Sequence, residues 1–303
     1  MDSTVNPTFA NGVAYVEGQY LPLNEARIPI IDWGFIRSDV TYDVAHVWQG
    51  CFFRLEDHLA RFSRSMDRLR MKVMGIDLIR EILVQCVALS GMREANVEMI
   101  CTRGTPLAPD NRDPRYCRNQ FYAFAAPIPW IASLEKQKAG LHLVVSRVLR
   151  IPEASVDPTV KNYHWLDLTA GLFDAYERGG ETAVLCDLGG NLVEGPGFNL
   201  FLVRDGTVAT PDRGMLQGIT RRTAMEICRA LDIPLQERKV PAAEAADCDE
   251  AFITSTSGGI MPITRIDGRP LGNGLPGPVT TRIRTTYWDW HKDPKYLTPV
   301  KYD

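Results

Sequence analysis

Apolar and polar positions alternate over Val40-Thr41-Tyr42-Asp43-Val44, whereas over Leu55 to Met71 the apolar residues Leu55, Leu59, Phe62, Met66 and Leu69 recur at three and four residues. The first pattern predicts a strand and the second a helix with one buried stripe. Before them, Val13 to Val16 and Gln19 to Leu21 flank Glu17-Gly18 and predict a hairpin. A second helix is expected over Leu78 to Ser90, then strands over Val97 to Thr102 and Phe121 to Ala125. These strands flank a polar stretch, Arg103 to Arg118, long enough to read as a lid.

Pro127-Ile128-Pro129-Trp130 cannot continue a central strand, because proline supplies no ladder donor. The domain junction is therefore placed at residues 128–138, between a smaller N-terminal domain (1–127) and a larger C-terminal one (139–303). Downstream, strands are predicted over Leu141 to Val148, Thr182 to Leu188, Asn191 to Glu194, Asn199 to Val203, Thr207 to Thr210 and Ala251 to Thr254. Helices are predicted over Leu166 to Arg178, Thr220 to Leu231 with Thr220 at or near its cap, and Pro278 to His291. The alternation favours a two-domain α/β chain of mixed α+β character.

Composition narrows the function. Net charge is only −3 over 303 residues, with no block of like charge, which argues against nucleic acid and for small ligands. Seven scattered cysteines without a Cys-x-x-Cys pair read as reduced thiols, and no apolar run or basic N-terminal leader suggests a membrane span or export. His46, His58 and His164 lack second ligands at useful spacing, so no metal is expected. Gly195-Pro196-Gly197 precedes a strand, not a helix, and fails as a dinucleotide fingerprint.

The chemistry-bearing residues are Lys161 in Val160-Lys161-Asn162-Tyr163-His164-Trp165 and Glu194 in Leu192-Val193-Glu194-Gly195-Pro196-Gly197-Phe198-Asn199. Taken alone, each fits a solvated loop or strand-end residue as well as a site. Gly218-Ile219-Thr220 before a helix, and Ser255-Thr256-Ser257-Gly258-Gly259 after a strand, have the form of anion-binding backbone. In this order, with Arg61 upstream in Asp57-His58-Leu59-Ala60-Arg61-Phe62, these segments resemble the fold-type IV pyridoxal-phosphate aminotransferases, the class IV family of branched-chain and D-amino-acid aminotransferases. Arg27-Ile28, Asp32-Trp33-Gly34-Phe35, Ser38-Asp39-Val40-Thr41-Tyr42-Asp43-Val44 and His46-Val47-Trp48 resemble the (R)-selective amine transaminase branch. The resemblance runs from about Gly12 to Tyr302.

That resemblance implies the two-domain fold-type IV architecture and a pyridoxal 5'-phosphate cofactor. It makes Lys161 the Schiff-base lysine and general acid/base, and Glu194 the partner of the pyridine nitrogen. Arg61, Ile219, Thr220 and Thr256 would hold the phosphate. The implied reaction is ping-pong transfer from an (R)-amine, with D-amino acids as additional donors, to a keto acid such as pyruvate. Tyr42, Val44 and Trp165 would wall the substrate, and Arg112, with Arg115 second, would meet its carboxylate. A cytoplasmic homodimer with active sites at the subunit interface is implied as well. The branch carries histidine where this chain has Arg37, a permanent carboxylate binder that would bias the pocket toward acidic substrates. A branched-chain or D-amino-acid aminotransferase, a 4-amino-4-deoxychorismate lyase on the same fold and a non-catalytic cofactor-binding homologue are the competing readings.

Overall fold

The computed structural model describes residues 7–302; Met1 to Asn6, the first part of the N-terminal segment read above, and Asp303 lie outside the described residues. Two compact units result: among the described residues, 7–129, 160–163 and 293–302 form the first, and 130–159 with 164–292 the second.

In the first unit, β1 (Val13–Val16) and β2 (Gln19–Pro22) pair through a two-residue turn. Glu17 and Gly18 both have positive φ, at 50° and 86°, which matches the twist of a hairpin. Helix α1 (Trp33–Arg37) starts where the Asp32 carboxylate accepts the Gly34 N–H at 2.7 Å. Strands β3 (Val40–Trp48), β4 (Cys51–Phe53), β5 (Ala95–Pro106) and β6 (Cys117–Ala126) complete a sheet of order β4-β3-β5-β6-β1-β2, with Leu297–Pro299 added outside β4. Helices α2 (Leu55–Arg68) and α3 (Ile76–Ser90) belong to the same unit. Leu55, Leu59 and Phe62 of α2 and Ile79, Leu83 and Val87 of α3 join Ala45, Val47, Val97 and Met99 in one buried cluster. Burying such side chains supplies about 1.5–3 kcal/mol each before entropy is counted.

The second unit has α4 (Leu134–Ala139), β7 (Leu141–Leu149), α5 (Leu166–Glu177), β8 (Thr182–Cys186), β9 (Glu194–Gly195), β10 (Phe198–Arg204) and β11 (Thr207–Thr210). Helix α6 (Ile219–Ala230), β12 (Leu235–Glu237), β13 (Glu250–Ser255), β14 (Gly259–Ile266), β15 (Arg269–Pro270) and α7 (Pro278–Trp290) follow. Its sheet order is β12-β11-β10-β13-β14-β7-β8, with β9 on β10 and β15 on β14. Strands β7 and β8 are parallel, as a crossover through α5 requires. Gly171 of α5 lies so close to Leu185 that a Cβ there would stand 2.6 Å from Leu185 Cδ1.

The division between the units falls at 129/130, inside the junction placed at 128–138, and that stretch also holds α4; residues 160–163 and 293–302 return to the first unit. Their attachment is non-local: Lys161 O accepts from Tyr42 N at 3.1 Å and Thr41 Oγ1 at 2.7 Å, and Val300 N donates to Gly50 O at 3.0 Å. The polar stretch 103–118 is ladder only at its ends, where β5 runs to Pro106 and β6 begins at Cys117, and the connection between them is 107–116. Thr220 stands two residues after Gly218, the N-cap of α6, and so is near the cap as expected. Helix α1 and strand β14 went unpredicted.

Candidate functional site

Register divides the residues of β3 between two faces. Thr41, Asp43, Ala45 and Val47 share one face, and Tyr42, Val44 and His46 the other. On the first face, Asp43 is fully buried and accepts Arg61 Nε at 2.7 Å, another Arg61 nitrogen at 2.8 Å and His58 Nδ1 at 2.8 Å. Burial alone would push the Asp43 carboxyl up; the charge and hydrogen bonds of Arg61, with those of His58, overcome it and hold the group far below the usual carboxylate range. Burial pushes the His58 pKa down against the pull of Asp43, and its Nδ1 faces the carboxylate at 2.8 Å. Arg61 therefore commits two nitrogens of its fork to Asp43, an arrangement the sequence did not signal.

The opposite face carries Lys161. Its Nζ stands 4.3 Å from the Tyr42 ring centroid, and the Tyr42 and Tyr163 rings are 4.4 Å apart. Tyr163 donates its hydroxyl to Glu98 Oε1 at 2.6 Å. Glu98 pairs directly with Val44 across β3 and β5. Burial raises the Glu98 carboxyl, while the Tyr163 hydrogen bond and the Lys161 charge lower it, and the net direction is upward. Sequence reasoning passed over Glu98, although a charge between Val97 and Met99 in an apolar strand is a readable signal.

In the second unit, Glu194 is buried at the start of β9. Its Oε1 accepts from Arg150 at 3.2 Å and its Oε2 from Leu216 N at 3.0 Å. Arg150 also donates to Asp167 Oδ2 at 2.6 Å; burial lowers its pKa, but the two carboxylates outweigh that and raise it. Helix α6 opens at Gly218 with no side-chain cap, its first turn holding buried Ile219 and Thr220. A Cβ on Gly218 would lie 2.1 Å from Asn199 Oδ1, so glycine is required there. Ser255 Oγ donates to Gly197 O at 2.8 Å and accepts Ser257 N at 3.3 Å, which fixes the turn holding half-buried Thr256. Trp165 packs beside Gly197, at 3.4 Å from the position of its missing Cβ.

The other arginines expected at the site are exposed. Arg112 lies in the 107–116 connection, Arg115 is tied to Asp113 at 2.5 Å, and the Arg37 guanidinium carbon sits 3.4 Å from the centroid of Trp33. Among the described residues, no group of three or more His, Cys, Asp or Glu side chains is placed to hold a metal ion, and no helix is long and apolar enough to cross a membrane.

Residues 41–266 match the profile of the family described as Amino-transferase class IV. The chain belongs to that family. A putative branched-chain-amino-acid aminotransferase of Methanocaldococcus jannaschii is 26% identical over 282 residues, covering 91% of this chain and 95% of its own. The D-alanine aminotransferase of Bacillus licheniformis is 27% identical over 282 residues, covering 88% and 93%. The branched-chain amino acid aminotransferase from Thermobaculum terrenum, solved in its PLP-bound holo form, superposes with a TM-score of 0.85 at 26% identity, covering 96% and 99%. This class IV aminotransferase is thus a pyridoxal-phosphate-dependent transferase of fold-type IV architecture. Its residues suit the cofactor's chemistry: a half-buried lysine, a buried carboxylate steadied by an arginine and a backbone N–H, and a helix N-terminus without a side-chain cap.

Proposed function

We propose that this aminotransferase moves the amino group of an (R)-amine, with D-amino acids as additional donors, to a keto acid such as pyruvate. When bound, the cofactor supplies an electron sink for the substrate carbon that loses its proton. Lys161 holds the cofactor and then carries that proton; Glu194 keeps the ring nitrogen protonated. Arg61, the N–H groups of Ile219 and Thr220, and Thr256 hold the phosphate. Asp43 aims the Arg61 fork.

The observation that carries the amine reading is the strand face beside Lys161. Its four cross-strand rows are Val40, Thr102 and Gln120; Tyr42, Ile100 and Tyr122; Val44, Glu98 and Phe124; and His46, Asn96 and Ala126. None of these twelve residues is lysine or arginine. A substituent placed against this wall meets no cation, so the wall suits uncharged substituents and an α-carboxylate must turn away from it. Trp165 is the third wall residue. Pyruvate's carboxylate goes to Arg112, because Asp113 already engages Arg115. Arg37 is the residue an acidic substrate would draw on.

The names of the relatives favour the alternative, a branched-chain or D-alanine aminotransferase. One titration separates the two. The visible absorbance of the purified holoenzyme should bleach with (R)-1-phenylethylamine, stay with the (S)-enantiomer and return with pyruvate; bleaching by L-leucine or D-alanine alone would overturn the amine reading.

We also propose a cytoplasmic homodimer with its active sites at the subunit interface. Exposed Ile30, Ile31, Phe35 and Ile36 form an apolar run in the first unit, and all seven cysteines are free, as a reducing compartment allows. Sedimentation at monomer mass would refute the dimer.

A further inference from the structure

Glu98 has no part in the chemistry assigned above, yet its placement is specific. By register it stands between Val44 of β3 and Phe124 of β6, on the face that bears Tyr42, Lys161 and Tyr163. Its strand neighbours Val97 and Met99 point into the apolar core on the reverse side. A carboxyl group at such a position costs desolvation unless something holds it. The Tyr163 phenol does so at 2.6 Å, and burial pushes that phenol's pKa far up, so it remains a donor. The next row adds a second acceptor, since Asn96 Oδ1 is buried without a hydrogen-bond partner.

A ligand carboxylate brought against the Val44 side of this wall meets the Glu98 carboxylate. The nearby cation is Lys161, which the proposed chemistry commits to the cofactor. We propose that Glu98 is a specificity-determining residue, a fixed carboxylate that keeps ligand carboxylates off the Val44 side of the site and so selects donors with uncharged substituents. The inference rests on the amine reading above and names the feature that enforces it. Anionic ligands are not barred outright; they bind only with the carboxylate turned away from β3 and β5, as pyruvate does toward Arg112.

Glu98→Gln keeps the side chain's size and an acceptor for Tyr163 while removing the charge. In the holoenzyme, calorimetry with unreactive 4-methylvalerate should show about tenfold tighter binding to Glu98→Gln than to wild type, with 4-methylvaleramide unchanged. In parallel, kcat/KM for D-alanine relative to (R)-1-phenylethylamine should rise by about tenfold. Unchanged carboxylate affinity, or equal gains for acid and amide, would overturn the proposal. If Glu98→Gln does not fold, Tyr163→Phe carries the test: it frees the carboxylate from its anchor and should shift acid over amide in the same direction by a smaller factor, and no shift overturns the proposal. Failure here is distinct from failure of the amine reading, because the wild-type response to (R)-1-phenylethylamine decides that reading and the variant-to-wild-type ratio for 4-methylvalerate decides Glu98.

Discussion

Replacing Asp43 by asparagine tests the buried network under β3. The carboxylate is 0% exposed and accepts four hydrogen bonds, two from Arg61, one from His58 and one from Val44 N, at 2.7 to 2.8 Å. Asparagine removes the charge and turns one acceptor into a donor aimed at a guanidinium. Removing one partner of a buried ion pair costs roughly 3–5 kcal/mol, because the other charge stays buried and uncompensated. At about 2–4 °C per kcal/mol for a domain of this size, the transition of the first unit should fall by roughly 6–20 °C in scanning calorimetry. Asp113→Asn is the control. It breaks a bridge to exposed Arg115 and should leave the transition in place. The pH dependence supplies a second readout. Because Arg61 and His58 hold the Asp43 carboxyl far below its ordinary value, its contribution is fully present above the unfolded pKa of about 4 and is lost as pH falls toward the folded value. Wild type should therefore lose stability more steeply than Asp43→Asn in that acid range. A variant melting within about 2 °C of wild type would refute the argument.

Four further outcomes are expected. Lys161→Ala should keep the wild-type circular dichroism and lose essentially all turnover, since no other lysine stands on that strand face. Glu194→Gln should retain the protein's fold but lower single-turnover rates by about tenfold or more, read by stopped-flow absorbance, because a neutral amide holds the ring proton less well. Gly218→Ala drives a methyl to 2.1 Å from Asn199 Oδ1, breaking its amide's bond to Leu216 O; it should cost about 1–3 kcal/mol and raise the rate of cofactor loss on dialysis. His58 is buried with a lowered pKa, so its contribution is fully present above the unfolded value of about 6.5 and is lost as pH falls through the folded one. The urea midpoint of wild type should thus fall from pH 7.5 to pH 5, and His58→Gln should flatten that slope.

Legibility in the sequence followed the length of the repeating pattern. The stripe Leu55, Leu59, Phe62, Met66 announced α2, and the alternation at Val40 to Val44 announced β3, because both persist over a full period or more. Helix α1 has five residues, too few for a helical period to register, and its signal was the Asp32 cap alone. Residues 160–163 show no period at all. They join the first unit through Tyr42 and Thr41, about 120 residues away, and only the folded chain brings those groups together.

The same distance limits what motifs reveal about the site. Arg61 was legible as a phosphate partner by resemblance, but its bond to Asp43 depends on α2 lying beneath β3. Alternation along β3 then gives neighbouring residues different surroundings: Asp43 fixes an arginine on one face, while Tyr42 and Val44 lie on the face beside Lys161, the proposed substrate wall. A one-residue slip would turn Tyr42 and Val44 to the α2 side and carry Asp43 out of reach of Arg61, losing the ionic anchor and the proposed wall together. Register in this strand is therefore under a double constraint, one from stability and one from specificity. Paired across it, Glu98 inherits that constraint, which is why a charge in the middle of β5 is tolerated on one face and would be excluded from the other.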